Sequence, residues 1–499
     1  MHNKKWLWVS LICVSFLLGL IVRFYDLTDP PLDFHPTRQL HSALIARGMY
    51  YQTRSDVPDW QKDLSLQQWK AQGLIEPQIM ERLTATTYQM AGQENLWFAR
   101  VWAIIFWAVG GFFLFLLAKD IAGLPGSAIA VVYYMNMPYT IAASRAFQPE
   151  PLMMAAVIFA LWVSNQWINK RRVLWAILAG IACGFAIYVK SVAVFFLAPS
   201  LAGLVLTNFK LKEAIRSSHV WIILLLSVLP YAAYHIYGVY GIGLLGEQFG
   251  LRFFPSLWVD PVYYLRWLNE MNRVVGFEFF LVAMSGIVLF APKQKAGFLA
   301  GFVVGYLLYG LTFSYHISTH DYYHMPLVVP AAIGLALIFG NLIKAKDKLS
   351  VYQYAAVAIV LLSFMVIKSW DARVSLKRTN YQNEVRFWEK LGERIPNGKQ
   401  VIGLLPDYGH RLAYWGWTPV TAWSSSSDQA LRALAGQDVD TDIAADLGNE
   451  DYDLFIITDM AEYEKQPALK EYLESNFPAV EQTSEVIIFD LKGQFANDS

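Results

Sequence analysis

The stretch LWFARVWAIIFWAVGGFFLFLLA, residues 96–118, is long and apolar enough to cross a membrane, and the charged pair Lys119 and Asp120 follows it. A helix that spans the hydrocarbon core of a bilayer needs about 20 apolar residues. Ten further runs of this kind bring the prediction to about eleven spans, the others lying near residues 6–23, 125–143, 150–168, 173–189, 191–208, 219–237, 276–291, 297–315, 325–343 and 351–369.

The composition agrees with a membrane protein. Of 499 residues, 56% are hydrophobic and 16% are charged, whereas a soluble domain is about a quarter charged. The formal net charge is zero, which argues against a nucleic-acid partner. Cys13 and Cys183 both fall in apolar runs, so they are interpreted as small buried hydrophobic residues and not as a disulfide or a metal site.

Short basic turns between the runs predict the orientation of the chain. They alternate with turns of a different character and read MHNKK, AKD, NKRR, NFKLKEAIR, PKQK and KAKDK. The positive-inside rule places such turns in the cytoplasm. We therefore expect a cytoplasmic N terminus in a cell membrane and, with eleven spans, a C terminus outside. The first run has a basic start and no small-residue cleavage site, which predicts a retained signal anchor.

Two outer segments carry structure of their own. The loop at residues 24–95 repeats apolar residues at intervals of three and four, which predicts amphipathic helices on the membrane surface. The tail at residues 371–499 is predicted to be a small soluble α/β domain without a glycine-rich phosphate loop; its helices are expected at 380–395 and 465–476, and its strands at 401–405, 453–458 and 485–491. The predicted fold is thus a polytopic α-helical membrane protein, residues 1–370, with a C-terminal extracytoplasmic α/β domain.

A charged stretch, PLDFHPTRQLHSALIAR at residues 31–47, follows the first span. Asp33 could serve as a base or a metal ligand, with His35 and Arg38 as neighbours for an anion. A polar loop capped by prolines is the plain structural alternative. Ionisable groups at membrane depth are costly and are usually functional.

Two further clusters face the same side. The turn SRAFQPEP, residues 144–151, holds Arg145 and places Glu150 at a helix start, where the helix dipole favours a carboxylate. Lys190 lies at an outer helix end, where anion binding and snorkelling to the interface are both open interpretations.

The segment YHISTHDYYH, residues 315–324, is rich in histidine. Its histidines repeat every four residues, so a continuous helix would align His316, His320 and His324 as zinc ligands. Binding of a phosphate or a sugar by His320 and Tyr323 is the favoured alternative.

Two carboxylates and several cations are thus predicted on one membrane face. Asp33 and Glu150 could take a proton or hold a divalent metal ion. The cations could neutralise the charge on a phosphate leaving group. Such a set suits chemistry on an anionic lipid.

The order of these motifs resembles the C-type glycosyltransferase (GT-C) superfamily, in particular the bacterial relatives of protein O-mannosyltransferases and aminoarabinose transferases. The resemblance covers about residues 1–345. It rests on the acidic stretch after the first span, on the segments IEPQ (75–78) and LWFAR (96–100), on SRAFQPEP, on Lys190 and on HDYYHMPLVVPA (320–331).

The resemblance implies an inverting transfer of a sugar from a polyprenyl-phosphate donor to an acceptor hydroxyl on a lipid, a glycan or a protein. Asp33 would act as the base, and Glu150 would assist it or share a divalent metal with it. Binding of the donor or its phosphate would fall to His35, Arg38, Glu76, Arg145, Lys190, His320 and Tyr323.

This interpretation requires Asp33, Glu150 and His320 to converge in one non-cytosolic cavity. A transporter or lipid flippase is the main alternative, but such proteins typically show repeated halves and broken helices at the bilayer centre, and no repeat is evident here. A phosphoethanolamine transferase would need a metal-binding outer domain, and the tail has no evident cluster of ligands.

Overall fold

A computed structural model describes residues 5–241, 243, 251–345, 350–396, 398–437, 443–448 and 451–493. The chain divides into two compact units. The helical unit comprises Met1–Thr28, Leu74–Leu83 and Trp97–Thr379, and the sheet unit comprises Asp29–Gly73, Thr84–Leu96 and Asn380–Ser499.

Most of the helical unit consists of long apolar helices. Its α-helices are α1 (Lys5–Phe24), α5 (Trp97–Asn136), α6 (Pro138–Ala143), α7 (Glu150–Lys170), α8 (Val173–Val189), α9 (Ala193–Asn208), α10 (Leu211–Arg216), α11 (Ser218–Ile236), α12 (Pro261–Val275), α13 (Phe277–Phe290), α14 (Lys293–Thr312), α15 (Ser314–Ile317), α16 (Val328–Ala345) and α17 (Val351–Arg378). One helix, α4 (Ile79–Ala91), belongs to both units.

Seven of the described helices are long and apolar enough to cross a membrane, or eight if the bent pair α12 and α13 counts as one span. The pair bends by 86° at Gly276, whose φ of 71° suits a residue without a side chain. Helices α8 and α9 are apolar but shorter. Each predicted run falls largely on helix, so the polytopic helical fold is confirmed, while eleven spans and their orientation stay predictions.

The break between the predicted runs 96–118 and 125–143 lies a few residues after the charged pair Lys119 and Asp120. Helix α5 continues through that pair and breaks at Gly123, which has φ 80° and ψ 175°. A glycine followed closely by Pro125 interrupts the helical hydrogen bonds more effectively than two charged residues do. Lys4 of the basic N-terminal turn and residues 346–349 of KAKDK lie outside the described residues.

Close backbone contact holds α9 against α14. Gly297, Gly301 and Gly305 recur every four residues along α14. A Cβ added at Gly301 would lie 2.1 Å from the carbonyl oxygen of Pro199, and one added at Gly305 would lie 1.8 Å from that of Phe195. Small residues at this spacing let apolar helices approach closely where the lipid offers no hydrophobic driving force.

The sheet unit contains five strands and the helices of the first outer loop. Its elements are α2 (Pro36–Gln52), α3 (Asp59–Ala71), α18 (Gln382–Arg394), β1 (Val401–Leu404), α19 (His410–Trp415), β2 (Val420–Ala422), α20 (Ser426–Leu434), α21 (Ile443–Gly448), β3 (Leu454–Ile457), α22 (Met460–Tyr463), α23 (Pro467–Asn476), β4 (Ala479–Gln482) and β5 (Ile487–Asp490). The helices predicted in the outer loop, and the three strands and two helices predicted in the tail, are confirmed.

The strand order in the sheet is β2-β1-β3-β5-β4. Strand β1 runs parallel to β2 and β3, whereas β5 runs antiparallel to β3 and β4. Strands β1, β3 and β5 are buried at every position. The sequence missed β2 and β4, which are partly exposed edge strands without an apolar run.

Helix α2 is joined to the tail by a buried arginine. Arg47 donates to Glu94 at 3.0 Å and to the carbonyl oxygen of Tyr414 at 2.5 Å. Its guanidinium also lies 3.8 Å from the centre of the Tyr414 ring and 4.2 Å from that of Trp417. Burial by itself would lower the pKa of Arg47, but Glu94 outweighs it and the pKa is raised.

Most of the outer loop, Asp29–Gly73 and Thr84–Leu96, thus shares one compact unit with the tail from Asn380 onward, although the sequence assigned residues 24–95 to the membrane domain and 371–499 to a separate one. That assignment rests on placement relative to the membrane and stays a prediction.

We expect Arg47→Met to destabilise the sheet unit by about 3 kcal/mol, because it leaves the Glu94 carboxylate buried without its cation. The measurement is the midpoint of heat unfolding of the full-length protein in detergent, followed by tryptophan fluorescence. Lys470→Ala is the control, since it breaks an ion pair with the exposed Glu464 and should leave the midpoint unchanged. Equal shifts in the two variants would contradict this role for Arg47.

Candidate functional site

The site in the helical unit starts from two helix ends. Helix α7 begins at Glu150, between Pro149 and Pro151, because proline suits the first turn, where no helical partner is needed for its missing N–H. A carboxylate is favoured at this end by the helix dipole. Helix α8 ends at Lys190, whose backbone is extended with φ −154° and ψ 118°.

Lys190 forms ion pairs with two carboxylates, and we call these three residues the Lys190 cluster. Its ammonium contacts Glu150 Oε1 and lies 3.1 Å from Glu76 Oε1. The side chains are 12%, 3% and 19% exposed for Lys190, Glu150 and Glu76. Removing one partner from a buried ion pair typically costs about 3–5 kcal/mol, since the remaining charge is left uncompensated. The cluster therefore fixes the end of α8 against the start of α7.

Two buried groups beside this helix start are unsatisfied among the described residues. Glu150 Oε2 has no hydrogen-bond partner, and neither the nitrogen nor the oxygen of the Gln148 side chain has one. Gln148 is 1% exposed and Glu150 is 2% exposed. A buried polar group without a partner costs about 1–3 kcal/mol, so these atoms are suited to a ligand that carries hydroxyl groups.

A 3₁₀ segment, Asp321–Leu327, lies near the Lys190 cluster. Tyr139 donates to Asp321 Oδ1 at 3.0 Å, and Arg273 lies 3.9 Å from the other oxygen of Asp321. The Lys190 ammonium lies 5.8 Å from the centre of the Tyr322 ring.

The helical alignment considered for the three histidines is wrong, because α15 ends at Ile317 and the 3₁₀ segment starts at Asp321. His324 engages the Tyr306 hydroxyl at 2.7 Å and the Ile317 carbonyl at 2.8 Å, so both ring nitrogens are occupied. A zinc site of these three residues therefore has no support from the geometry.

His320 and Tyr323 instead form an aromatic group with His316. The His316 ring centre lies 5.5 Å from those of His320 and Tyr323. Burial, together with His320 and Arg252, lowers the pKa of His316 to about 3. His316 is therefore neutral at physiological pH and packs as an aromatic ring. Phosphate or sugar binding by His320 and Tyr323 stays a prediction.

Arg145 is buried and supports the end of the first helix. Its Nη2 donates to the carbonyl oxygen of Asp26 at 2.8 Å, and Arg100 donates to Leu27 in the same turn at 3.0 Å. The role of Arg145 in binding the carrier phosphate stays a prediction.

Asp33 lies in the sheet unit, in a short segment that we call the acidic loop, residues 31–35. The loop folds back over the start of α2, where Gln39 Nε2 donates to the carbonyl oxygens of Pro31 at 3.1 Å and Phe34 at 2.6 Å. These carbonyls flank Asp33, so Gln39 fixes the backbone that carries the carboxylate.

His35 precedes α2 in a left-handed conformation, φ 45° and ψ 66°, and its ring packs edge-on against Phe34 at 4.6 Å. Pro36 then starts the helix, so that Arg38 falls in its first turn. The roles of His35 and Arg38 toward an anion stay predictions.

The structure thus brings together Glu76, Glu150 and Lys190 in one unit, and Asp33, His35 and Arg38 in the other. Convergence of Asp33, Glu150 and His320 stays a prediction. Within the described residues, no three histidine, cysteine, aspartate or glutamate side chains converge as metal ligands. The metal site of Asp33 and Glu150 also stays a prediction, and the chemistry below uses no metal.

Sequence reasoning missed Gln148, Gln39 and Tyr139. Gln148 stands two residues before Glu150 in the quoted turn, and Gln39 stands in the quoted acidic stretch. A glutamine is uncharged and does not stand out in the sequence, so the one available indication was that each lies next to a charged motif. Tyr139 follows the proline that starts α6, and nothing in the sequence around it indicated a functional residue.

A family model for dolichyl-phosphate-mannose-protein mannosyltransferases matches residues 76–237. This range contains Glu76, Arg145, Glu150 and Lys190. A search of curated protein sequences found no match.

Several solved structures are similar over nearly the whole chain. ArnT from Cupriavidus metallidurans, bound to undecaprenyl phosphate, is 14% identical with a TM-score of 0.61 and 99% of each chain covered. An oligosaccharyltransferase from Archaeoglobus fulgidus, solved with zinc and sulfate, is 11% identical with a TM-score of 0.54, covering 93% of this chain and 70% of that one. The mycobacterial arabinofuranosyltransferase AftD is 15% identical with a TM-score of 0.53, covering 98% of this chain and 41% of that one.

These similarities extend over the membrane helices and the C-terminal sheet alike. The chain therefore has the fold of the GT-C glycosyltransferase superfamily, as its motifs predicted.

Proposed function

We propose that this protein is an inverting membrane glycosyltransferase that moves a sugar from a polyprenyl-phosphate donor to an acceptor hydroxyl on the outer face of the membrane. The observation that carries the proposal is the carboxylate of Glu150, whose Oε1 contacts the Lys190 ammonium and whose buried Oε2 is unsatisfied, two residues after the unsatisfied buried amide of Gln148. A sugar phosphate supplies hydroxyls and an anion, and these groups accept both.

The fold supports the choice of donor. ArnT, which shares it, was solved with undecaprenyl phosphate bound, and the family model that matches residues 76–237 describes enzymes that use dolichyl-phosphate mannose. Both carriers are polyprenyl phosphates. We infer the same class of donor here, with the lipid among the membrane helices.

The Lys190 cluster suits the leaving group. As the bond between the anomeric carbon and the phosphate oxygen breaks, negative charge grows on the phosphate. Lys190 is paired with two carboxylates in the free protein, so it stabilises this charge by turning from them toward the phosphate, in surroundings that screen charge less than water does. Glu150 and Glu76 hold Lys190 in place before the donor binds, and Glu150 Oε2 can accept a hydrogen bond from a sugar hydroxyl.

Asp33 is the proposed base. The acceptor hydroxyl oxygen attacks the anomeric carbon from the face opposite the phosphate, its proton passes to Asp33, and polyprenyl phosphate departs with the bonding electrons. The anomeric configuration therefore inverts. Gln39 supports this role, since it fixes the backbone on both sides of Asp33.

We expect Asp33→Asn to lower turnover by about a thousandfold while the protein still folds and inserts, because positioned general bases contribute about 10²- to 10⁴-fold. The assay is transfer of sugar from a polyprenyl-phosphate donor to a hydroxyl acceptor in proteoliposomes. The control is Asp56→Asn, which removes an exposed carboxylate that pairs with Arg54 in the same outer loop and should leave turnover intact. Normal turnover in Asp33→Asn would remove Asp33 from the mechanism.

We expect Lys190→Met to lower kcat by about a hundredfold, the size of effect seen when one charge-stabilising donor is lost. Methionine keeps the four-atom stem of the side chain and removes the ammonium, and Lys344→Met makes the same substitution at an exposed lysine near the end of α16 as a control. Single-turnover rates should fall as much as kcat does. If only KM rises, Lys190 binds the donor without assisting departure of the phosphate.

We expect Gln148→Leu to raise the stability of the ligand-free protein and to lower donor affinity by about tenfold. Leucine removes a buried amide that lacks partners in the free protein but that would bind the donor. The measurements are the heat-unfolding midpoint without ligand and its rise with added polyprenyl phosphate sugar. A variant that is less stable, yet binds the donor normally, would assign Gln148 to packing.

A further inference from the structure

The segment that follows strand β1 has an unusual backbone. Asp407, with φ 53° and ψ 37°, and Tyr408, with φ 57° and ψ 31°, are both left-handed, and Gly409 follows with φ 76°. Such conformations cost non-glycine residues about 1–2 kcal/mol each. Strain of this kind persists where surrounding contacts hold it, so the contacts of Asp407 identify what the conformation serves.

Both carboxylate oxygens of Asp407 are engaged. Oδ1 accepts a hydrogen bond of 2.7 Å from the hydroxyl of Thr37, and Oδ2 accepts one of 2.6 Å from Nε of Arg411. Arg411 is itself held by Glu384, 3.1 Å from its Nη1. The Asp407 side chain is 10% exposed, which strengthens hydrogen bonds to a charged group.

Thr37 is the second residue of α2 and lies four residues from Asp33. Two residues further along, Gln39 binds the carbonyls of Pro31 and Phe34. Two groups of hydrogen bonds therefore meet in the first turn of α2: one comes from the segment after β1 and the other holds the backbone of the acidic loop.

Helix α19, which begins just after this segment, adds two independent contacts to the outer-loop helices. Gln68 of α3 donates to the carbonyl of Ala413 at 2.9 Å, and Arg47 of α2 donates to that of Tyr414 at 2.5 Å. These contacts hold the bodies of α2 and α3. The contact between Asp407 and Thr37 lies at the end of α2 next to Asp33, where the ring of His410 also bonds to the backbone of Thr37.

We propose that Asp407 is a positioning residue for Asp33. Its hydrogen bond to Thr37 fixes the first turn of α2, and Gln39 transmits that position to the acidic loop. The proposal rests on the proposed function, in which Asp33 is the base, and it makes the C-terminal sheet a working part of the transferase.

The test compares the full-length protein with Asp407→Ala, Thr37→Val, the double variant and Thr37→Ser in proteoliposomes supplied with a polyprenyl-phosphate sugar. A displaced base slows the chemical step without weakening donor binding. Each single variant should lower kcat about tenfold and change the donor KM by less than about twofold. The double variant should be no slower than the singles, because each single variant already removes the hydrogen bond between Thr37 and Asp407. Thr37→Ser keeps the hydroxyl and should keep kcat.

Asp453→Asn is the matched control. Asp453 is a buried carboxylate beside the same sheet, with ion-pair partners of its own, Lys399 and Lys492. It precedes β3, whereas Asp407 follows β1, so the two lie at opposite ends of the parallel strands. Its variant should lose stability and retain kcat. A kcat loss in Asp453→Asn equal to that in Asp407→Ala would reduce the effect to general destabilisation and overturn the proposal.

Hydrogen–deuterium exchange of the peptide covering residues 31–45 separates this proposal from the proposed function. Faster exchange in Asp407→Ala, with unchanged exchange in Asp453→Asn, supports Asp407 as the residue that orders the acidic loop, even if the wild-type protein transfers no sugar from this donor. Unchanged exchange, normal kcat in Asp407→Ala, or additive losses in the double variant would each overturn it.

Discussion

A buried charge in an apolar helical unit must find its partner inside the protein, and the Lys190 cluster is the case on which the site depends. Lys190 and Glu150 terminate neighbouring helices, so neutralising the ammonium also fixes where α8 ends and where α7 begins. Removing a charge from water is expensive, and its partner recovers that cost only in good geometry. The need to neutralise Lys190 therefore also determines where the two helices end.

The same constraint explains the buried Arg23. Helix α5 ends at Asn136 and Pro138 starts α6, so backbone carbonyls near this break lack helical donors. Arg23 donates to the carbonyls of Met135 at 2.7 Å and Thr140 at 3.3 Å, and to the Ser144 hydroxyl at 2.6 Å. An arginine with its five donors suits such a site. The turn that leads to Glu150 is thus supported from α1.

Much of the fold could be predicted because long apolar runs and alternating basic turns are strong, local signals. The limits were also physical. Gly123 breaks α5 a few residues after the charged pair that suggested a turn, and the histidines would align only in a continuous helix that the chain does not form. Edge strands β2 and β4 bury little, so they leave no apolar pattern. A periodic pattern of apolar residues indicates which face of an element is buried, so an element that buries little shows no such pattern.

The charged residues of the candidate site could be predicted from the sequence, but the residues that hold them in place could not. Asp33, Glu150 and Lys190 were identified because ionisable residues are rare in so apolar a chain. Gln39 and Gln148 were missed because a glutamine carries no charge to mark it, and the role of Asp407 was missed because 370 residues separate it from its partner Thr37. No local pattern contains that distance.

Gln148 and Glu150 show why a site of this kind needs a rigid scaffold. Buried polar atoms without partners each oppose folding by about 1–3 kcal/mol, and a soft helical bundle would relax until those atoms reached partners of their own. The ion pairs of Lys190 with Glu150 and Glu76 hold the start of α7 against the end of α8 and oppose such relaxation. Polar groups held in this way stay available, so that their hydrogen bonds are formed with a ligand and contribute to binding it.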